Sequence, residues 1–231
     1  MPLILILVFT LSWSSVSCAV ASLEIQVKQQ KIMVPYWKGV RTPHGGVLII
    51  QGGDPVYGEI FLKSLASYLA DSGWSVILLN TQFQASTPWV DQLPEGLSLL
   101  RKQKNNRIIV IHYGNELQTT LGYFTKQQSK QVNGLILLSA FDLPIPKETI
   151  ILSEKIRFPV YDIVGQFDYQ DVLLQMQARK EQSTAKQYIT MKFPGAQHDY
   201  AYTRRLLANF LSGWMLHIQA ASPAKPPISK R

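Results

Sequence analysis

Two kinds of apolar segment alternate along the chain, short continuous runs and longer stretches with apolar residues three or four apart, and this alternation is its main structural signal. Val47–Ile50, Val76–Leu79, Arg107–His112 and Gly134–Ser139 are largely aliphatic runs, as expected of strands buried on both faces. Phe158–Val164 and Gln187–Phe193 read as two further strands. Ser22–Trp37 alternates loosely, with Leu23, Ile25 and Val27 followed by Ile32 and Val34, which predicts an antiparallel pair at the sheet edge. Ile60–Leu69 carries a helical stripe at 61, 62, 65, 66 and 69, with Gly73 past its end as a C-cap. Glu116–Phe124 and Val172–Gln182 are also read as helices, as is Tyr202–Ile218 with its wide apolar face. Gln82–Pro94 holds two prolines and no period, so a loop is expected there, leading to a short helix near Glu95–Lys102. Strand–helix–strand order repeated in this way predicts a three-layer α/β/α sandwich around a mainly parallel sheet of seven or eight strands.

Composition changes this picture mainly at the two ends. A chain of 231 residues, 46% of them hydrophobic, suits one well-buried domain of about 200 residues. Pro2–Trp13 is uncharged and apolar, and Ala19-Val20-Ala21 has the small-x-small form of a signal-peptidase site. Residues 1–21 are therefore read as a signal peptide, although Lys and Arg are missing ahead of the apolar run, and residues 22–219 as the domain, exported to the periplasm or cell envelope. The only cysteine, Cys18, falls in this leader; Val16-Ser17-Cys18 resembles the end of a lipobox, which makes a lipoprotein the alternative. Residues 220–231 are rich in proline and lysine and read as a disordered basic tail. Net charge is +8, from 23 basic and 15 acidic residues, a balance that favours an anionic envelope surface such as phospholipid head groups. The charge is spread over Lys28–Lys31, Arg101–Arg107 and Lys225–Arg231, without the interleaved aromatics of a single-strand groove, so no nucleic-acid partner is expected.

The candidate chemistry lies on three strand ends. Arg107–Phe124 reads as a strand that turns through Tyr113–Asn115 into a helix, the geometry that in G-x-S-x-G enzymes presents a serine above the sheet. No G-x-S-x-G occurs anywhere in the chain. Two later turns, Gly165-Gln166-Phe167-Asp168 and Pro194-Gly195-Ala196-Gln197-His198, place a carboxylate and an imidazole at the same edge of a parallel sheet. Such a pair suits a general base: the carboxylate fixes the tautomer, and the other ring nitrogen faces a nucleophile or water.

The strand order, the glycine corner after Val47–Ile50, the G-x-x-D turn and the P-G-A-x-H turn together resemble the α/β-hydrolase superfamily. More narrowly, the chain resembles an uncharacterised bacterial family of exported α/β-hydrolase-like proteins, over roughly Ile25 to Ile218. The resemblance carries the acid onto Asp168, the base onto His198 and the oxyanion hole onto the backbone N–H groups of Gly52 and Gly53. For the nucleophile it leaves two registers: with Gly114 as the last glycine His112 takes the serine place, and one residue later Tyr113 takes it.

Two readings follow. In one, the chain is a hydrolase-fold protein without the standard nucleophile, a degenerate hydrolase or a binding module. In the other, it cleaves an ester or amide, with Asp168 and His198 activating water or a non-standard nucleophile on a small-molecule or acyl substrate. No cofactor is expected, since Gly52-Gly53 is only a pair and neither a dinucleotide fingerprint nor a P-loop is present. No metal is expected either, since His112, Asp168 and His198 lack any recognised ligand spacing. Glu116 is read as a first-turn helix carboxylate, and His44 and His217 as structural or surface residues. The oligomeric state is left open.

Overall fold

The computed structural model describes residues 20–40, 42–53, 55–80, 87–125, 132–145, 152, 156–185 and 187–218. Residues 1–19 of the leader, the basic tail and residues 82–86 of the loop read at 82–94 lie outside the described residues. Eight strands, β1 (Ala21–Val27), β2 (Gln30–Trp37), β3 (Gly45–Gly52), β4 (Trp74–Asn80), β5 (Ile108–Gly114), β6 (Gly134–Leu138), β7 (Val160–Phe167) and β8 (Tyr188–Gln197), form one sheet in the order β1-β2-β4-β3-β5-β6-β7-β8. β1 and β2 form the antiparallel edge pair, β2 joins β4 antiparallel, and every pairing from β4 to β8 is parallel.

The helices are α1 (Pro55–Asp71), α2 (Trp89–Lys102), α3 (Leu117–Phe124), α4 (Gln170–Gln182) and α5 (Arg204–His217). Alternation along the strands sorts their side chains to two faces. Val47, Ile49, Ile109, Ile111 and Tyr113 join α1 and α5 in one core, while Leu48, Ile50, Ile108 and Val110 join α2 and α3 in the other. β3, β5 and β6 are buried along their whole length, which is why the sequence shows them as unbroken aliphatic runs. Among the described residues no helix is long and apolar enough to cross a membrane.

Several boundaries differ from the pattern. α2 starts at Trp89 and takes Pro94 inside it, so the missing amide is tolerated for the burial of Trp89, Leu93 and Leu97 against the sheet. The strands at the far edge also run on: β7 continues through Gly165-Gln166-Phe167 and β8 through Pro194-Gly195-Ala196-Gln197, segments whose glycines and proline read as turns. Their ladder shifts register between Gly165 and Phe167 and resumes with Phe167 opposite Gln197, a bulge of the kind that re-aims side chains at sheet rims. A Cβ on Gly165 would lie 2.6 Å from the Ala196 carbonyl oxygen, so this close approach requires glycine.

Candidate active site

The renewed pairing of Phe167 with Gln197 sets the next residues of both strands, Asp168 and His198, side by side at the carboxyl edge of the sheet. His198 Nδ1 donates to Asp168 Oδ1 at 2.7 Å, which leaves Nε2 as the lone-pair nitrogen of the neutral ring. Asp168 is 8% exposed and its carboxylate is fully engaged. The Tyr169 amide donates to Oδ1 at 2.8 Å, the Gly165 amide donates to Oδ2 at 3.0 Å, and the Ser139 hydroxyl donates to Oδ2. Tyr200 is 2.8 Å from the Ser139 oxygen and donates to it, since the serine proton is committed to the carboxylate. Burial alone would push the Asp168 carboxyl up; the His198 hydrogen bond and charge, together with Ser139 and the Gly165 amide, outweigh it and hold the group below the usual carboxylate range.

Aromatic rings surround the imidazole. Tyr169 stacks on His198 with centroids 4.5 Å apart, and Tyr113 and Phe141 stand 5.2 and 5.9 Å away. The His198 side chain keeps 14% of its surface exposed, so the ring is flanked but not sealed.

The remaining candidate residues divide between the two faces of β5. His112 is wholly buried on the α2/α3 side, with Trp89 at 6.1 Å. Its Nε2 donates to the Asn115 carbonyl at 2.9 Å, and its Nδ1 accepts from the Thr120 hydroxyl at 2.7 Å. Desolvation depresses its pKa to about 4 and keeps it neutral. Tyr113 projects to the other face, packs on Phe61, and donates its hydroxyl to the His198 backbone carbonyl at 3.3 Å. Burial, then the charges of Asp168 and Asp199, push its ionisation far above the usual tyrosine range, so it stays a neutral phenol.

The structure therefore brings Asp168, His198 and Tyr113 together and puts His112 on the opposite face. Gly52 and Gly53 lie at the end of β3, with Gly52 still paired to Gly114 of β5. A Cβ on Gly114 would stand 2.8 Å from the Gly52 carbonyl oxygen, and one on Gly52 would stand 1.7 Å from the Asn115 carbonyl oxygen. The backbone turns sharply just here, with φ of +83° at Gly114 and +67° at Glu116. The segment after β6 closes over this corner from the other side. Phe141 N donates to Gly114 O at 3.0 Å and Leu117 N to Phe141 O at 3.2 Å. Asp142 Oδ1 accepts from Gln118 N at 2.9 Å, and Asn115 Oδ1 accepts from both Glu116 N and Leu143 N. Glu116 takes the indole N–H of Trp89 at 2.5 Å, a contact its expected role at a helix start did not anticipate.

Sequence reading missed two features of this edge. Ser139 ends a buried aliphatic strand, and its position beneath a carboxylate from β7 is a tertiary fact without a local sequence signal. Asp162, fully buried in β7, meets Arg179 of α4 in a bidentate pair of 2.7 and 3.1 Å and accepts from the Tyr188 hydroxyl at 2.6 Å. Arg179 also donates to the Ala140 carbonyl at 3.1 Å, which ties α4 to the segment that follows Ser139. Here a signal existed, since an aspartate in the middle of FPVYDIV is buried only with a partner. Among the described residues no group of three or more His, Cys, Asp or Glu side chains is placed to hold a metal.

Several solved structures share this architecture at low sequence identity. The esterase domain of a Rhodothermus marinus protein superposes with a TM-score of 0.63 at 10% identity, covering 86% of this chain and 98% of that one. The fold is that of the α/β hydrolases. Est1E from Butyrivibrio proteoclasticus matches with a TM-score of 0.64 at 15% identity, over 84% of this chain and 97% of its own. A dienelactone hydrolase from Anabaena variabilis gives 0.66 at 14% identity, over 87% and 99%. No family model matches the chain, and no curated protein is recognisably similar in sequence. At such identities the likeness concerns the fold alone.

Proposed function

We propose that this protein is an α/β-hydrolase-fold protein of the cell envelope that keeps the acid–base half of a hydrolytic site without the standard nucleophile, a degenerate hydrolase or binding module. The observation that carries the reading is the corner after β5. An elbow of this fold lifts one residue where the backbone leaves the strand, and the residue in that conformation is Gly114, φ +83°. This is neither of the two registers read from sequence. Glycine offers no attacking atom, and the Gly52 carbonyl stands over the place a side chain would take. An acceptor oxygen there opposes the negative charge that an acyl transition state develops, which needs donors instead. Export from residues 1–21, and kinship with the uncharacterised exported family, belong to the same proposal and rest on the sequence motifs.

The second reading, an active ester or amide hydrolase, is favoured by one specific observation: the Asp168–His198 contact of 2.7 Å has the geometry of a working base and its orienting acid. Its substrate would be acyl, as in the esterases of the same fold, with a nucleophile or water delivered to Nε2. Turnover of a broad panel of activated esters and amides by the purified protein and by His198→Ala separates the two. The first reading expects both proteins at the background rate. Wild-type turnover that falls by about a hundredfold or more in His198→Ala, the scale of general-base catalysis, would establish the second.

A further inference from the structure

The sheet edge opposite His198 carries a second candidate site, which the hydrolase reading does not use. A pocket of about 300 Å³ opens where β3 and β5 begin, lined by Pro43, His44 and Gly45 on one side and by Lys104, Asn106 and Arg107 on the other. That volume lies at the small end of ligand sites, roughly 300–1,000 Å³, and suits a head group rather than an extended molecule.

Its chemistry is one-sided. No carboxylate is among its lining residues, and among the described residues neither Lys104 nor Arg107 forms an ion pair. Three of the wall carbonyls are engaged by donors: Arg101 Nη1 donates to the Asn105 and Asn106 oxygens at 3.1 and 2.7 Å, and Gly46 N donates to Arg107 O at 2.8 Å. Lys104 and Arg107 bring an ammonium and a guanidinium to this lining, beside the side chains of Asn106 and His44. Arg107 Nε is buried with no hydrogen-bond partner, and an unmade bond at a buried donor costs about 1–3 kcal/mol, more when the group is charged. The frame is rigid, since Asn105 Nδ2 donates to Leu100 O at 2.9 Å, Lys104 N to Arg101 O at 2.9 Å, and His44 N to Gly73 O at 3.0 Å.

We infer that this pocket binds a phosphate group, held by Arg107 and Lys104 at the amino edge of the sheet. A guanidinium fork and an ammonium converging on one concave site match the several oxygens of a phosphate. The site stands independently of any chemistry at His198. The Arg101–Arg107 run, which reads in sequence as a diffuse basic cluster, thus acquires a specific ligand class.

The test is a heteronuclear NMR titration of the full chain with inorganic phosphate, repeated on Lys104→Ala, Arg107→Gln and, as a basic substitution elsewhere, Lys28→Ala. Saturable shifts are expected at the amides of residues 44–46 and 104–107, with affinity about tenfold weaker in each pocket variant, as loss of a charge-assisted hydrogen bond implies, and unchanged in Lys28→Ala. Lys104 is exposed, so its substitution leaves the fold intact should Arg107→Gln destabilise it. Co-flotation with vesicles of equimolar phosphatidylglycerol and phosphatidylcholine identifies the source. Flotation lost in both pocket variants assigns the phosphate to a lipid head group; phosphate binding without flotation assigns it to a soluble ligand. Shifts that fail to appear, that survive either pocket substitution, or that weaken equally in Lys28→Ala would overturn the inference.

Discussion

At the scale of single residues, the polar groups buried at the sheet's carboxyl edge set how the protein responds to acid and to substitution. His112 is neutral in the folded protein, with its pKa depressed from 6.5 to about 4. The unfolded chain therefore binds a proton that the folded chain does not, and stability is full above pH 6.5 and falls between there and pH 4. The loss from this group is about 3 kcal/mol, measurable as a drop in chemical-denaturation stability that His112→Gln should flatten over the same range. Asp168 has the same sign in a lower window: its depressed folded pKa adds stability that is present above the ordinary carboxylate value of 3.8 and lost as pH falls through the folded one. Arg179 shows what a missing partner costs. Arg179→Met leaves the buried Asp162 carboxylate without its cation, held by the Tyr188 hydroxyl, which should destabilise the protein by about 3–5 kcal/mol in urea unfolding, whereas Tyr188→Phe, which removes one of several bonds to that carboxylate, should cost about 1–3 kcal/mol.

At the scale of elements, the strand ends decide the site. β3 and β5 stay paired out to Gly52 and Gly114, and main chain packs closely at the corner that follows. Gly52→Ala should therefore cost about 3 kcal/mol or more, because its Cβ meets the fixed Asn115 carbonyl and not a side chain that can rotate; thermal unfolding reads this directly. How much of this edge was legible in sequence follows from the range of the forces involved. The buried strands and the α1 and α5 stripes are local patterns, and they appear as such in Val47–Ile50 and in Leu206–Ile218. The ends of β7 and β8 are not local. Gly165, Pro194 and Gly195 carry turn chemistry, yet pairing across the bulge keeps these segments extended, and only the partner strand supplies that information. At the corner after β5 residue type does single out Gly114 for the positive φ, since glycine takes it most readily; His112 and Tyr113 are singled out there only by the search for a reactive side chain. Asp168 and His198, by contrast, follow directly from their strands in the sequence, and the ladder makes them neighbours.

At the scale of the whole molecule, one sheet separates two polar edges. The carboxyl edge holds an imidazole with its orienting carboxylate, framed by Tyr113, Phe141 and Tyr169, beside a corner filled by main chain. The amino edge gathers Lys104 and Arg107, which form no ion pair among the described residues, around a small pocket. Between them lie the two apolar cores, which fix the distance and orientation of both. The central proposal is that His198 is a prepared base with no reactive group, among the described residues, in front of it. The most direct measurement is a crystal structure of the protein soaked with a small activated phosphonate ester, read at His198 Nε2. The account predicts no covalent phosphorus anywhere along β5 and its corner, and no protein hydroxyl or thiol within hydrogen-bond reach of Nε2. A side-chain oxygen bonded to phosphorus beside His198, contributed by any segment of the chain, would contradict it.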